Sequence, residues 1–424
     1  MAKTFREWDV DQGWLLPPSV HELVPPGHVA HFVRTTVRED LDLWSILECY
    51  QEERGQPPYH PVMMTALVLY AYTQGVFSSR KIARGCEERV DFMAVTALSK
   101  PDFRTISDFR LRHLKALSGL FDQVLGLCQR AGLVKLGHVA LDGTKIKANA
   151  SKHKAMSYGR MVLKEKELKA LVRSWFERAQ KEDEEEDRLF GKDRRGDEMP
   201  AWVANKEERR KRISEAKKAL EEEARKRDEG DGSGQVDPKT QRNFTDPDSR
   251  LMKTREGFEQ AYNCQLAVDQ ASQVIVAAQT SRSQNDSGEL PGLLEQIKKN
   301  TGRQAREISA DSNYCSEANL KEISRRHIRG YIATGRQHHG SDTPVDRLGQ
   351  KKGERARSMN ARLRRGSWRS RYRLRKQTVE PVIGQIKEAM GFRRFLLRGI
   401  EKVAAEWRLI CAAHDLRKLA VAGR

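Results

Sequence analysis

Five short runs rich in apolar and β-branched residues constrain the fold of this chain most strongly. They occupy residues 137–151, 261–269, 273–281, 307–311 and 330–335. The short gap between the second and third runs is typical of a β-hairpin. Between the later runs the pattern predicts helices over 285–300 and 316–327, the second of them capped by Ser316. Strands interleaved with helices after a hairpin predict an α/β domain with a mixed central sheet.

Two of the predicted strands end in an aspartate. Asp142 closes the run His-Val-Ala-Leu-Asp, Asp311 closes Glu-Ile-Ser-Ala-Asp, and small or polar residues follow both. Aspartate is common in turns, so either residue alone is weak evidence for a site. In an open α/β sheet, groups at strand ends project into the crevice where ligands bind, so the two together predict an acidic centre there. Asn285 and Asp286 are interpreted as a helix N-cap, with a supporting role beside that centre left open.

A third acid, Glu380, lies on a predicted helix near the end of the chain. Thr378 is placed to cap this helix, and Pro381 is tolerated because it falls in the first turn. Glu380, Gly384 and Lys387 are spaced i, i+4 and i+7, so they share one helical face. Glycine is costly inside a helix unless something approaches closely. This face therefore offers a carboxylate, a gap and a cation, which suits a metal-bound phosphodiester.

The chemistry of phosphodiester transfer explains why three acids would be grouped. The attacking oxygen, the leaving oxygen and the charge around phosphorus must be stabilised together, and two divalent ions about 3.5–4 Å apart can do this. Magnesium prefers hard oxygen ligands. We therefore expect Asp142, Asp311 and Glu380 to be the catalytic residues and to bind Mg²⁺. The sequence has no P-loop or Gly-x-Gly-x-x-Gly pattern, so no nucleotide cofactor is expected.

The charge of the chain indicates a polyanionic partner. Lys and Arg number 78 against 59 Asp and Glu, a net charge of +19. This balance favours nucleic acid, and the alternatives are an anionic membrane surface or a contribution to solubility alone. Residues 351–376 carry twelve Lys or Arg and a single acid, with Trp368 and Tyr372 among them. Cations neutralise phosphates and aromatic rings stack on exposed bases, so this basic segment is expected to contact DNA.

Targeting and redox signals favour the cytoplasm. The start of the chain lacks the apolar region of a signal peptide. The longest apolar stretch, 62–72, is too short to span a bilayer and reads as a buried helix. The six cysteines are scattered without a Cys-x-x-Cys pair, which is typical of reduced thiols.

The remaining segments are predicted to be helical. Residues 1–135 form an all-helical N-terminal domain, in which two short helices over 77–98 and a third opening at 104 resemble a helix-turn-helix. This domain is a candidate for DNA binding or for dimerisation. The helix-turn-helix pattern does not decide between these roles, because any small helical bundle gives the same pattern. Residues 155–235 are rich in helix formers and dense in charge, which predicts a solvated helical insertion or hairpin and a closing linker.

Five blocks of the sequence carry a family resemblance. They are LDGTKIKANAS (141–151), DPDSRLMK (246–253), YNCQLAVD (262–269), ADSNYCSEANL (310–320) and TVEPVIGQIK (378–387). In this order they resemble the DDE-type transposases of bacterial insertion sequences, in the branch whose third acid lies in a Tyr-Arg-Glu-Lys signature. The resemblance covers essentially the whole chain, including the helical N-terminal region, and the charged insertion at 155–232 is its least constrained part.

The resemblance implies a ribonuclease H-like catalytic domain with three acids clustered on a mixed sheet. Residues 136–154 form its first part and residues 236–424 the remainder, on either side of the insertion. Asp142, Asp311 and Glu380 correspond to the catalytic acids that bind Mg²⁺, with Mn²⁺ able to substitute. Tyr314 fits the aromatic residue that follows the second aspartate by three positions, and Lys387 fits the signature lysine.

Two signature positions depart from the family pattern. Lys376 stands where the arginine is expected and Arg373 where the tyrosine is expected, while Arg375 and Tyr372 are each displaced by one. The positive charge is kept. The residues expected to contact DNA are cationic or aromatic: Lys387, Lys376, Arg375, Arg373, Tyr372, Trp368, Lys145 and Lys147.

The implied activity is metal-dependent cleavage at the ends of an insertion element and strand transfer into target DNA. The implied partners are double-stranded DNA, as terminal inverted repeats and as target, and a second copy of the chain in a synaptic homodimer. The expected location is the bacterial cytoplasm, at the nucleoid. Two alternatives stay open: a related metal-dependent nuclease without strand transfer, and a DNA-binding regulator with a vestigial catalytic domain.

Overall fold

The computed structural model of this chain describes residues 19–50, 57–190, 201–227, 236–254, 256–335, 353–364 and 368–423. Most of the predicted linker that closes the charged insertion lies outside these ranges. So do positions 351–352 and 365–367 of the basic segment.

A mixed sheet forms the centre of the fold and confirms the α/β prediction. Strands β1, β7 and β8 run parallel, and β5 is antiparallel to β1, β4 and β6. The strand order is β4-β5-β1-β7-β8, with β6 also paired to β5. A separate small sheet joins β2 and β3. The strands of the described residues are β1 (His138–Lys147), β2 (Ala155–Ser157), β3 (Gln241–Asn243), β4 (Arg250–Thr254), β5 (Gly257–Asp269), β6 (Ile275–Ser281), β7 (Glu307–Ala310) and β8 (Arg329–Ile332).

The two neighbours of β1 pair with it over different lengths. Strand β5 pairs with β1 from Val139 through Lys147, whereas β7 pairs only with His138–Ala140. Beyond Ala140, β7 therefore leaves one edge of β1 open. Strand β1 lies within the predicted run 137–151, but the placement of Asp142 at a strand end is wrong, because pairing with β5 continues to Lys147.

Helices dominate the described residues before β1, as predicted. They are α1 (Val29–Glu39), α2 (Trp44–Leu47), α3 (Pro61–Thr73), α4 (Ser79–Glu88), α5 (Val90–Thr96), α6 (Phe103–Arg112) and α7 (Leu114–Arg130). Helix α3 is buried along nearly its whole length, in agreement with its uniformly apolar sequence. One continuous hydrophobic core contains side chains of these helices and of the central sheet.

Between β1 and β4 in the chain lie two long helices, α8 (Tyr158–Phe190) and α9 (Ala201–Arg227). They pack against each other over a small separate core that includes Met161, Leu168 and Ile213. Glu223 on α9 pairs with Arg242 at 2.7 Å and with Arg250 at 2.9 Å. These ion pairs connect the helices to β3 and β4.

The helices that follow the sheet strands position the site. They are α10 (Leu290–Thr301), α11 (Glu317–Arg325), α12 (Glu354–Arg364), α13 (Trp368–Gly384) and α14 (Ile400–Ala422). Helix α13 contacts β1, β5, β7 and β8, and it continues into a π-helical turn over Gln385–Ala389. Ser316 caps α11 through the backbone N–H of Asn319, as predicted. No helix of the described residues is long and apolar enough to cross a membrane.

Candidate active site

A cleft of about 750 Å³ opens beside the free edge of β1. Its walls come from β1, from the end of β4, from Asp311 and from α13 with the turn that follows it. All three predicted acids line this cleft, and Gly384 and Lys387 lie on the same wall as Glu380. The structure therefore brings together the acids that the sequence separates widely.

Asp142 lies in the middle of β1 and not at its end. Its backbone pairs with Leu266 of β5. Its side chain, which is 16 % exposed, accepts a hydrogen bond from the Arg375 guanidinium at 2.7 Å. The side chain lines the cleft and contacts α13 through Arg375.

Asp311 follows the last residue of β7, as predicted. It caps a 3₁₀ turn over Ser312–Tyr314, where its Oδ1 accepts the backbone N–H of Asn313 at 2.9 Å. The Asn313 side chain donates to the other carboxylate oxygen at 3.2 Å. Two bonds from one residue thus fix the orientation of this carboxylate.

Glu380 lies far inside α13, so the prediction that Thr378 caps this helix and Pro381 falls in its first turn is wrong. The helix begins at Trp368, ten residues before Thr378. A proline at 381 removes the N–H that would bond the carbonyl of Gln377. The side chain of Gln273 donates to that carbonyl at 3.0 Å and replaces the missing bond. This contact from the β5–β6 turn explains why the helix passes through Pro381.

Arg375 links two of the acids. Its guanidinium donates to Asp142 at 2.7 Å and to Glu380 at 2.9 Å, and its side chain is 11 % exposed. Arg375 was predicted to contact DNA, but in this conformation its guanidinium is engaged by the carboxylates. Two acids from distant parts of the chain therefore converge on one cation.

Burial and mutual repulsion shift the titration of these groups. Burial raises the pKa of Asp142 to about 7; the Arg375 guanidinium opposes this shift, and the carboxylates of Asp311 and Glu380 reinforce it. Burial also raises the pKa of Asp311, against the hydrogen bond from Asn313. Such shifts are expected where several carboxylates share a poorly solvated site, and a bound cation lowers them.

The arrangement partly fits a divalent cation. In the described part of the chain, no three His, Cys, Asp or Glu side chains are close enough together to hold a metal ion. Asp142 and Glu380 nevertheless already bind one positive group between them, and Asp311 lines the same cleft. Carboxylate oxygens are the ligands that Mg²⁺ prefers. These carboxylates would be the donors for a hard cation once the guanidinium is displaced.

The predicted DNA-contacting cations have different environments. Lys145 and Lys147 line the cleft, and each is paired, with Asp286 and with Glu256 respectively. Lys387 also lines the cleft and donates to the carbonyl of Lys145 at 3.1 Å. Arg373 and Lys376 are exposed on α13.

Two aromatic residues, Tyr372 and Trp368, were also predicted to contact DNA. Tyr372 is only 8 % exposed and belongs to the hydrophobic core, so its ring is not available to stack on a base. This corrects the expectation, because α13 packs the face that carries Tyr372 against the sheet. The side chain of Trp368 lies outside the described part of the structure.

A buried polar cluster lies beside the acids, where the sequence left open only a supporting role for Asn285 and Asp286. Asp286 was interpreted as a helix N-cap, but α10 begins only at Leu290, and the Asp286 carboxylate accepts bonds from Asn263 and Gln265, both at 2.7 Å. Asn263 and Gln265 alternate along β5 and are fully buried. The signal available in the sequence was a pair of amides two residues apart within the largely apolar C-terminal part of β5, because residues at this spacing share one face of the sheet.

The fold and the cleft define a protein with an acidic centre on a mixed sheet, surrounded by cations. Residues 18–112 match the family model described as "Transposase domain (DUF772)". Residues 346–420 match the model described as "Transposase DDE domain", and this range includes Glu380 and Lys387 but neither Asp142 nor Asp311. The two matches support the assignment of this chain to the DDE transposases of insertion sequences. Comparison with curated proteins and with solved structures gave no significant match.

Proposed function

We propose that this chain is a transposase that cuts DNA at the ends of its own element and joins the freed 3′-hydroxyl groups to target DNA, with divalent metal ions bound by Asp142, Asp311 and Glu380. The observation that carries the proposal is the convergence of Asp142 and Glu380 on the Arg375 guanidinium, in a cleft that Asp311 also lines. The mixed sheet supports a ribonuclease H-like catalytic domain, interrupted in sequence by α8 and α9.

The three carboxylates would hold Mg²⁺, or Mn²⁺ in its place. The ions would supply charge neutralisation at the reacting phosphate and activation of the attacking oxygen. Before an ion can occupy the space between Asp142 and Glu380, the Arg375 guanidinium must leave. Arg375 then becomes free to neutralise a phosphate of the DNA, which was its predicted role.

The other residues of the cleft would bind and orient the DNA. Lys145, Lys147 and Lys387 place positive charge along the cleft. Gly384 leaves the wall of α13 open, since nothing lies within 4 Å of the position that a Cβ would take. A DNA strand can therefore approach the helix backbone beside Glu380.

The proposed partners are the terminal inverted repeats, the target DNA and a second copy of the chain in the synaptic complex. Arg373 and Lys376 are exposed on α13, and in this proposal they would add to the phosphate-binding surface. Helices α4 to α6 are the proposed site of end recognition or of dimerisation. The proposed location is the bacterial cytoplasm, at the nucleoid.

The test uses the inverted repeats that flank the gene. Linear DNA that ends in these repeats is incubated with the purified chain, Mg²⁺ and a supercoiled plasmid. We expect end cleavage followed by plasmid molecules joined to the repeat ends, detected by gel mobility and by sequencing of the junctions.

Two results would contradict the proposal. Cleavage without any joined product, including from pre-cut ends, would indicate a nuclease. Specific binding to the repeats with no cleavage in Mg²⁺ or Mn²⁺ would indicate a DNA-binding regulator with a vestigial catalytic domain.

A further inference from the structure

The carboxylate of Asp286 is the centre of a buried hydrogen-bond network. Its Oδ1 accepts from Asn263 and from Gln265, both at 2.7 Å, and from the ammonium of Lys145 at 3.3 Å. Its Oδ2 accepts from the side chain of Asn313 at 3.3 Å. Asp286 itself is only 7 % exposed. One side chain thus contacts groups from β1, β5 and the turn after β7.

The network leads to Asp311 by two routes. Asn313, which bonds Asp286, also donates its backbone N–H and its side-chain N–H to the Asp311 carboxylate. Gln265, which bonds Asp286, accepts the hydroxyl of Tyr314 at the end of the same 3₁₀ turn. Two residues of the turn that follows Asp311 are therefore connected to Asp286, Asn313 directly and Tyr314 through Gln265.

The network also fills the space beside Asp142. A Cβ added to Gly143 would lie 2.6 Å from Asp286 Oδ1 and 2.5 Å from Gln265 Nε2. The backbone next to Asp142 can approach the network this closely only because residue 143 has no side chain. Asp286 does not line the cleft, so it is not placed to touch DNA or a metal ion.

We propose that Asp286 is a positioning residue, which holds Asn313 and through it orients the Asp311 carboxylate for metal binding. This inference rests on the proposed function, in which Asp311 is a metal ligand. Groups that orient metal ligands typically change metal affinity when they are replaced, although they do not touch the metal.

Asp286→Asn tests the route through Asn313 selectively. Asparagine has one acceptor oxygen, which must face Asn263, Gln265 and Lys145, so its NH₂ group faces the NH₂ group of Asn313. Turning the Asn313 amide to meet this donor would present its oxygen to Asp311. Either way the bond that orients Asp311 is lost, while the shape of the side chain is kept.

The readout is Mn²⁺ binding in the absence of DNA, measured by electron paramagnetic resonance and by titration calorimetry on the full chain. We expect Asp286→Asn to weaken Mn²⁺ binding by about tenfold. Asn313→Ala changes an exposed residue and should give a similar loss in a fully folded protein. The double variant should bind no more weakly than either single variant, because both changes break the same connection.

Asp269→Asn is the matched control. Asp269 is a fully buried aspartate at the far end of β5, where it accepts the backbone N–H of Leu136 at 2.6 Å. This control should lower the melting temperature without changing Mn²⁺ affinity. If Asp286→Asn does no more than this control, or if its effect and that of Asn313→Ala are additive, the proposed role of Asp286 is wrong.

Asp311→Asn separates this inference from the proposed function. If Asp311→Asn loses Mn²⁺ binding while Asp286→Asn and Asn313→Ala bind as the wild type does, only the positioning role fails. If Asp311→Asn itself binds Mn²⁺ normally, Asp311 is not a ligand, and the proposed metal site fails together with the inference.

Discussion

At the scale of single residues, Gly143 and Gly384 lie on the same cleft but have opposite surroundings. A Cβ at Gly143 would clash with Gln265 and Asp286, whereas a Cβ at Gly384 would meet nothing within 4 Å. The packing of the protein therefore requires a residue without a side chain at position 143. Gly384 costs helix stability without relieving any internal contact, which is expected if its role is to admit a ligand.

This contrast gives a paired prediction. Gly143→Ala should destabilise the protein by about 1–3 kcal/mol, since the network must move, and should lower the cleavage rate. Gly384→Ala should stabilise α13 by up to about 1 kcal/mol, yet weaken binding of DNA that carries the element ends. Thermal unfolding and DNA-binding titrations measure both effects. Unchanged DNA binding by Gly384→Ala would contradict a close approach of DNA to this helix.

The sequence predicted that Asp142, Asp311 and Glu380 would lie close together, and they line one cleft, but their contacts were only partly predictable. Asp311 and Glu380 have local cues, a carboxylate next to a strand end and a carboxylate on a helix face, whereas the strand-end cue used for Asp142 does not hold, because Asp142 lies within β1. The contact of Arg375 with two of them was not predicted, because it depends on how α13 lies across the sheet. The burial of Tyr372 has the same cause, since an aromatic ring among cations looks exposed in sequence alone.

At the scale of elements, α13 depends on a contact from the β5–β6 turn. Gln273 supplies the donor that Pro381 lacks. The same side chain accepts from Lys418 at 2.9 Å and from Gln385 at 3.3 Å, so it also links α13 to α14. This network positions the helix that carries Glu380.

A double-mutant cycle tests this contact. Gln273→Ala should lower the free energy of unfolding by about 1–2 kcal/mol, because it leaves the Gln377 carbonyl unsatisfied. In a Pro381→Ala background the new N–H can bond that carbonyl, so the loss should shrink by about 1 kcal/mol. Denaturant unfolding of the four proteins measures the difference. Equal losses in both backgrounds would show that Gln273 does not compensate for the proline.

The elements with strong local signals were predicted well. The β5–β6 hairpin and α11 with its Ser316 cap follow from patterns within a few residues. The start of α13 was misplaced because Thr378 and Pro381 are ordinary N-terminal signals. The donor that overrides them lies 104 residues earlier in the chain, where sequence patterns give no indication of it.

At the scale of the whole molecule, one hydrophobic core joins the N-terminal helices to the sheet and to α14. The hydrophobic core is therefore continuous across the predicted domain boundary at residue 135. Composition could not reveal this, because apolar helices are equally compatible with an independent bundle. Glu406 of α14 lies inside this core, 2 % exposed, and accepts the backbone N–H groups of Leu396 and Leu397.

Glu406 should make stability depend on pH. Burial raises its pKa from 4.5 to about 7. Between these values the folded chain keeps a proton that the unfolded chain has released, so the free energy of unfolding falls as the pH rises. Between pH 5 and 8, the free energy of unfolding of Glu406→Gln should decrease less than that of the wild type, by on the order of 1–3 kcal/mol. Denaturant unfolding at several pH values measures this difference. A variant with the same pH profile as the wild type would contradict the raised pKa.

The central claim is that Asp142, Asp311 and Glu380 form one metal-dependent catalytic centre. Its most direct test is the single-turnover rate of end cleavage in Mg²⁺ for the wild type and for Asp142→Asn, Asp311→Asn and Glu380→Gln, with DNA binding and melting temperature measured in parallel. Each variant should stay folded, bind the element ends and cut them at least about 10³-fold more slowly. A folded variant at any of these three positions that cuts DNA at the wild-type rate would contradict the claim.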